Sequence, residues 1–271
     1  MLPVIVLASL LLAEVARSAS YTSCTQESCG NLTIRYPFSL AGAQPLYCGY
    51  PVFDLACDAA HSPAQAYLSN TFGDGLFRVR DISYENNSMV AALNTSFAGD
   101  AGCPVPDFNV SASLALFPLN ISAANNRLVF FYGCTVPADL RLPRPCGNRT
   151  MGAYVSGLWG EDGTLPPGVP RNCTSASVPV HGGTTEQLAA PRRYYEQLIR
   201  DGFLLELPAP LGDCDGCTRR MRGECRFDQF SFQCVCPDGN LCPISTSTSH
   251  SGWKHFLATR TCCESLSSIY Y

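Results

Sequence analysis

Charged residues are scarce in this chain of 271 residues, and lysine is almost absent. Only 15% of the residues are charged, and Lys254 is the one lysine among 18 basic residues. With 22 acidic residues the net charge is −4, which excludes the broad positive surface of nucleic-acid-binding proteins. Long hydrophobic runs are also missing, because no run after residue 20 approaches the roughly 18 residues of a membrane-spanning helix. We therefore predict neither nucleic-acid binding nor a membrane span.

Catalytic motifs are missing as well. The sequence contains no nucleophile elbow, no zinc-protease motif and no phosphate-binding loop. The lysine and aspartate motifs that phosphoryl transfer needs are absent too. We predict that the protein is not an enzyme and holds no cofactor.

Residues 1–20 are typical of a secretory signal peptide. An apolar run at 2–13 is followed by small residues, and cleavage is expected after Ser18 or Ser20. In an oxidising compartment, 16 cysteines predict disulfide bonds rather than free thiols. We predict a secreted protein of the extracellular space or cell wall. The predicted disulfide cysteines are Cys24, Cys29, Cys48, Cys57, Cys103, Cys134, Cys146, Cys173, Cys214, Cys217, Cys225, Cys234, Cys236 and Cys242.

Seven Asn-x-Ser/Thr motifs agree with export and predict N-linked glycosylation. The predicted sites are Asn31, Asn86, Asn94, Asn109, Asn120, Asn148 and Asn172. The cysteine pairs 214/217 and 234/236 also have an alternative interpretation as a zinc site, because four thiolates can hold that ion. Export favours disulfides there instead, so we predict no resident metal.

The chain is predicted to be mainly β and disulfide-rich, with two small extracellular modules. The first spans 21–136, an irregular connecting region spans 137–183, and the second spans 184–242 before a divergent, disordered tail at 243–271. Alternating apolar residues and turn residues predict strands at 31–40, 76–84, 88–93, 113–116, 127–132, 152–158 and 177–180. The second module has one predicted helix at 184–201 and a cysteine-rich end, 214–242, similar to epidermal-growth-factor-like modules.

Four stretches of the sequence carry a family resemblance. Cys29-Gly-Asn-Leu-Thr-Ile-Arg-Tyr-Pro-Phe38 and Cys48-Gly-Tyr-Pro-Val-Phe-Asp-Leu-Ala-Cys57 resemble the N-terminal galacturonan-binding module of plant wall-associated receptor kinases. The run 195–207 and the cysteines from 214 to 236 are similar to the C-terminal module of the same receptors. The nearest subgroup is the leaf-rust-resistance type of receptor-like kinase. Relatives continue into a membrane helix and a kinase. The resemblance thus implies a non-catalytic ectodomain, which without an anchor acts as a soluble binder or decoy.

The resemblance implies a pectic polysaccharide or oligogalacturonide as ligand, and this ligand is a polyanion. Arg78 and Arg80 lie two apart on a predicted strand and should point to one face, where guanidinium groups suit uronate carboxylates. The other candidate ligand-binding residues are Arg35, Tyr36, Tyr84, Arg219, Arg220 and Arg222. Ca²⁺ is the one metal ion whose participation in ligand binding we leave open, because it can bridge carboxylates of the protein and the ligand.

Each candidate also has a plainer interpretation. The arginines of the first module can be solvated or paired with Asp81 and Glu85, since most exposed ion pairs contribute little. Tyr36 and its aromatic neighbours can form core beneath the disulfides, because small stapled domains have few other large residues to bury. The alternative function is a protein-interaction ectodomain that binds a peptide, an effector or a co-receptor.

Overall fold

The computed structural model describes residues 23–69, 71, 75–94, 105–106, 108–115, 117–143, 146, 151–161, 165–208, 211–228 and 231–243. The predicted signal peptide, Cys103, Asn148 and the tail from residue 244 onward lie outside the described residues. The fold is mainly β, with 36% strand and 18% helix, which confirms the predicted class.

The described residues form fourteen strands and four helices. The strands are β1 (Glu27–Cys29), β2 (Leu32–Ile34), β3 (Ser39–Leu40), β4 (Asp54–Asp58), β5 (Gln65–Leu68), β6 (Phe77–Ser83), β7 (Ser88–Leu93), β8 (Asn120–Ile121), β9 (Asn126–Tyr132), β10 (Gly152–Leu158), β11 (Thr174–Val180), β12 (Phe203–Glu206), β13 (Glu224–Asp228) and β14 (Ser231–Val235). The helices are α1 (Val110–Ser113), α2 (Thr185–Ala189), α3 (Pro191–Asp201) and α4 (Cys214–Met221).

The largest sheet contains strands from both halves of the chain. Its order is β3-β4-β5-β6-β7-β12-β8, so β12 of the second half pairs with β7 on one side and β8 on the other. Phe203 and Leu205 of β12 are buried in the same hydrophobic cluster as Phe53 and Phe77. The two halves therefore share one sheet and one core.

The connecting region contains the two strands predicted within it, at 152–158 and 177–180, and they are part of a sheet. Its strands β10 and β11 pair with the two edges of β9, in a three-stranded sheet of order β10-β9-β11. Leu128 and Phe130 of β9 belong to the large cluster, and Val129 and Phe131 belong to a second one. A strand buried on both faces has a continuous apolar sequence and is typically central in its sheet. The apolar run 127–132 therefore forms the central strand of this sheet, with a partner strand on each side.

The helices differ from the prediction in three places. The helix predicted at 184–201 is two helices, because Pro191 lacks an N–H and disfavours a helical residue before it. Helix α4 was not predicted, although Asp213 caps it by accepting the N–H of Gly216 at 2.7 Å. The strand predicted at 113–116 is wrong, since Val110–Ser113 forms a short helix capped by Asn109.

Six disulfide bonds connect described cysteines. They are Cys24–Cys48, Cys29–Cys57, Cys134–Cys173, Cys214–Cys225, Cys217–Cys234 and Cys236–Cys242. Cys146 is disulfide-bonded as well. The zinc alternative is wrong, because the four sulfurs that it needs are each bonded to another sulfur.

Replacing both cysteines of the Cys217–Cys234 pair by serine should destabilise the protein by about 3 kcal/mol, as expected for a closed loop of this length. The pair closes 17 residues, and both residues are at most 1% exposed. Serine in place of Cys236 and Cys242, which close only 6 residues, is the control and should cost less. Chemical denaturation of the purified variants measures the difference, and equal losses would contradict this account.

Candidate functional site

An open groove of about 460 Å³ lies on the large sheet. We call it the sheet groove. Its lining residues come from β4, β5, β6 and the segments next to them: Ala56, Asp58, His61, Gln65, Tyr67, Gly75, Arg78 and Asn94. Ala56, Tyr67 and Arg78 are direct cross-strand neighbours, so they lie in one row across three strands. Direct neighbours in an antiparallel sheet project to the same face, which explains why this row forms the floor.

The position of the Arg78 guanidinium is set by Gln65. The Tyr67 hydroxyl donates a hydrogen bond to Gln65 Oε1 at 2.9 Å, and Arg78 Nη1 donates to the same oxygen at 3.3 Å. Tyr67 is only 8% exposed, so its ring packs in the sheet and its hydroxyl orients the amide. Gln65 Oε1 thus accepts hydrogen bonds from both Tyr67 and Arg78, and this arrangement holds the Arg78 guanidinium at the groove floor.

Arg78 shares the sheet groove with one acid, Asp58, and the charges of two further arginines act on it. Partial burial lowers the pKa of its guanidinium, and the nearby charges of Arg80 and Arg200 lower that pKa further. Among the described residues, Arg78 makes no ion pair. Three arginines thus share this end of the sheet, with Asp201 as the paired acid, 3.9 Å from Arg80.

The prediction that Arg78 and Arg80 follow simple strand alternation is wrong in detail. The register between β6 and β7 shifts between Val79 and Asp81, so Arg80 sits at a β-bulge. Its guanidinium donates to the carbonyl oxygen of Arg200 at the end of α3, where cations are favoured by the helix dipole. The acid next to Arg80 is therefore Asp201 of the second half, not Asp81 or Glu85.

Arg35, Tyr36 and Tyr84 lie in a different place, a cleft of about 280 Å³ between the two halves of the chain. The Arg35 guanidinium is 4.2 Å from the centre of the Tyr84 ring, a cation–π contact. Burial raises the pKa of Tyr84, whose hydroxyl donates to Thr33 O and accepts the N–H of Arg35. The cleft is also lined by Glu85, Asp213 and Asp215, so its acids outnumber its one arginine. This balance disfavours a polyanion.

Tyr36 belongs to the core. It is 8% exposed, its ring packs against Tyr50 and Phe232, and its hydroxyl donates to the carbonyl oxygen of Leu211. Burial raises the pKa of this hydroxyl strongly. The plainer interpretation, in which Tyr36 forms part of the core, accounts for these contacts. The Tyr36 ring offers no open surface to a sugar because Tyr50 and Phe232 cover it.

The basic segment Arg219, Arg220 and Arg222 forms a third, separate place. Arg219 and Arg220 belong to the last turn of α4, and Arg222 is its C-cap. All three are exposed and line neither cavity. Arg219 lies 3.9 Å from Asp215, one turn earlier. Arginines at a helix C-terminus stabilise the helix, which explains their position without a ligand.

The predicted glycosylation sites occupy several kinds of surface. Asn31, Asn86, Asn109, Asn120 and Asn172 are exposed, whereas Asn94 is half-buried and lines the sheet groove. Within the described part of the chain, no group of three or more His, Cys, Asp or Glu side chains is placed to hold a metal ion. No helix among these residues has the length and apolar character to cross a membrane.

Sequence reasoning found one residue of the sheet groove, Arg78, as a ligand candidate and missed the rest. The segment Gln65-Ala-Tyr67-Leu, which forms β5, does not alternate polar and apolar residues, so periodicity gave no signal for this strand. His61 and Arg200 had no local signal. His61 lies in the β4–β5 connection, 3.1 Å from Asp58, and Arg200 lies far along the chain.

A mainly β fold held by six disulfide bonds between described cysteines defines the class of disulfide-rich extracellular modules. Comparison with protein families supports this class. A model described as wall-associated receptor kinase galacturonan-binding matches residues 24–93, and one described as wall-associated receptor kinase C-terminal matches residues 158–239. The chain belongs to the family of wall-associated receptor kinase ectodomains. Both matched modules are binding or associated modules rather than catalytic ones.

A curated relative agrees with this assignment. The chain is 27% identical over 227 residues to leaf rust 10 disease-resistance locus receptor-like protein kinase-like 1.2 of Arabidopsis thaliana. The match covers 81% of this chain but only 33% of the relative, so the chain spans about a third of that protein's length. No solved structure matches the chain.

Proposed function

We propose that this chain is exported and binds the galacturonan of pectin in the sheet groove, without converting it chemically. The observation that carries the proposal is the Arg78 guanidinium, which is held at the groove floor by Gln65 and makes no ion pair among the described residues. Of the described residues that line this groove, the galacturonan-binding family match at residues 24–93 includes all but Asn94, which follows the match directly.

Electrostatics support a uronate ligand at this position. Arg78, Arg80 and Arg200 concentrate positive charge in a chain whose net charge is −4. A carboxylate can accept two parallel hydrogen bonds from one guanidinium, and such charge-assisted bonds are stronger than neutral ones. An anion beside Arg78 would also relieve the repulsion among the three arginines. A neutral sugar would gain neither the charge-assisted hydrogen bonds nor the relief of repulsion among the arginines.

Substituting Arg78 by alanine should weaken binding of oligogalacturonides by about 10- to 100-fold, because a hydrogen bond to a charged group contributes roughly 1.5–3 kcal/mol. Arg219→Ala is the matched control, since it removes an equal charge at an exposed position outside the groove. Calorimetric titration at rising salt, with and without Ca²⁺, measures the affinity. Exposed charges are screened by salt, so wild-type binding should weaken as salt rises.

Two outcomes would contradict the proposal. Equal binding by the Arg78 and Arg219 variants would place the ligand elsewhere. Saturable binding to a peptide, effector or co-receptor, with no response to uronate, would favour the protein-interaction function instead. Methyl-esterified oligomers are the chemical control, because they keep the sugar and remove the negative charge.

A further inference from the structure

A histidine and an aspartate form a polar pair in the sheet groove, where β4 continues into the connection to β5. Asp58 Oδ2 lies 3.1 Å from His61 Nδ1, and Asp58 Oδ1 accepts the N–H of Ala60 at 2.8 Å. Both side chains of the pair line the groove and are close to half exposed, 42% for Asp58 and 48% for His61. Every residue from 54 to 69 is described, so this side of the groove contains no gap.

The Asp58 carboxylate determines which nitrogen of His61 carries a fixed proton. An ionised carboxylate only accepts hydrogen bonds, so Nδ1 of His61 donates to it and keeps its proton. The state of Nε2 is therefore the one that varies. In the neutral imidazole Nε2 is an acceptor, and in the imidazolium it is a donor. Among the described residues Nε2 makes no hydrogen bond, so it is available to a ligand.

This pair lies on the same face of the sheet as Arg78. Asp58 is the direct cross-strand neighbour of Gln65, and Gln65 Oε1 accepts the hydrogen bond of Arg78. Because β4 and β6 lie on either side of β5, their axes are about 10 Å apart. Galacturonan carries a carboxylate on every sugar. A fragment bound through one carboxylate at Arg78 therefore has others that it can present to His61.

We propose that His61 is a second uronate-binding residue of the sheet groove and acts only in its protonated form, so that the protein binds galacturonan more tightly in mildly acidic solution than at neutral pH. This inference rests on the proposed function for the identity of the ligand. The protonated Nε2 donates a charge-assisted hydrogen bond to a uronate carboxylate. The neutral Nε2 instead presents a lone pair, which repels that carboxylate.

The charges of the groove change in the same direction. Asp58 and Arg78 cancel each other, so the described lining has no net charge while His61 is neutral and a charge of +1 when it is protonated. The other charged side chain near this connection is Glu27 of the β1–β2 hairpin, in which Gly30 lies against Ala64.

Histidine is the side chain whose charge ordinarily changes between about pH 5 and 8. His61 is the one histidine among the described lining residues, beside Asp58, Tyr67 and Arg78. A response of binding in this range is therefore assigned to His61.

The test is calorimetric titration of the full chain with trigalacturonate at pH 5 and pH 7.5, at constant ionic strength. The wild type should bind about fivefold more tightly at pH 5, the size expected for an ion pair at an exposed position. His61→Gln removes the titratable charge and keeps a side-chain N–H for Asp58, so its affinity should be the same at both pH values. His181→Gln is the control and should keep the wild-type response, because His181 is exposed and lines neither cavity.

Equal wild-type affinities at the two pH values, or an unchanged pH response in His61→Gln, would overturn the inference. The loss of affinity caused by Arg78→Ala at pH 7.5 would remain in either case, and the proposed function would stand. Failure of the proposed function has a different signature. Arg78→Ala would then bind trigalacturonate as tightly as the wild type at pH 7.5, and the inference about His61 would fall with it.

Discussion

Replacement of Leu205 by aspartate is expected to prevent the chain from reaching its native fold. Leu205 is 0% exposed and lies in β12, which pairs with strands on both sides. Loss of a buried leucine costs about 2–5 kcal/mol, and an unpaired buried carboxylate adds several more. Their sum is comparable to the whole stability of a typical domain, about 5–15 kcal/mol.

The matched control is Glu206→Gln, which changes the exposed neighbour on the same strand. Expressed in the same host, it should be recovered at the wild-type level and unfold in one cooperative transition. Leu205→Asp should give little folded protein, and what is recovered should carry free thiols. A wild-type yield and a native circular dichroism spectrum for Leu205→Asp would contradict the shared sheet.

Asn125→Asp is expected to cost at least about 3 kcal/mol at pH 7, although it changes only one atom type. Asn125 is 0% exposed, and its Nδ2 donates to the carbonyl oxygens of Ser122 and Leu204 at 2.7 and 2.8 Å. Its Oδ1 accepts the N–H of Leu204 at 2.8 Å. The side chain thus extends the hydrogen-bond ladder to β12, and aspartate would set an oxygen against two carbonyl oxygens.

The same variant should show a defined pH dependence. Burial against two acceptors raises the folded-state pKa of the new carboxyl above its unfolded value of about 3.9. The folded state then binds more protons, so stability falls as pH rises from that value through the raised pKa. Urea denaturation should show a smaller loss at pH 4 than at pH 7. Asn126→Asp, at the half-buried next position, is the control, and an equal loss there would argue against the role of Asn125.

Both variants test one conclusion, that the two matched modules form a single folding unit. A fragment ending at residue 136 would lack β10, β11 and β12. In it, β9 would lose both of its partner strands, and β7 would lose its partner β12. Binding experiments on the first module alone would therefore measure a damaged sheet groove. This is why the experiments proposed above use the full chain.

Local patterns predicted several strands closely. The strand predicted at 88–93 has the same bounds as β7, and the one predicted at 152–158 has the same bounds as β10. Their alternation and turn residues act over a few positions, so one stretch of sequence contains the whole signal. The β-bulge at Arg80 had no such signal, because it depends on how β6 pairs with β7.

The residues of the candidate site likewise divide into those that the sequence identified and those that only folding brings together. Arg78 was identifiable from its residue type and its place on a predicted strand. Its hydrogen bond to Gln65 and its neighbour Arg200 come from other parts of the chain, so only folding brings them together. Tyr36 and Arg35 looked like members of the same site, and the structure places them in a separate cleft with an excess of acids.

The sequence by itself determined that this protein is a disulfide-bonded β ectodomain of the wall-associated receptor kinase family, because cysteine content, strand periodicity and short motifs are local properties. The tertiary structure decided which arginines share a surface, which aromatic residues are buried, and that β12 joins the two halves in one sheet. Those outcomes depend on contacts between residues more than a hundred positions apart, and the pattern of neighbouring residues does not encode such distances.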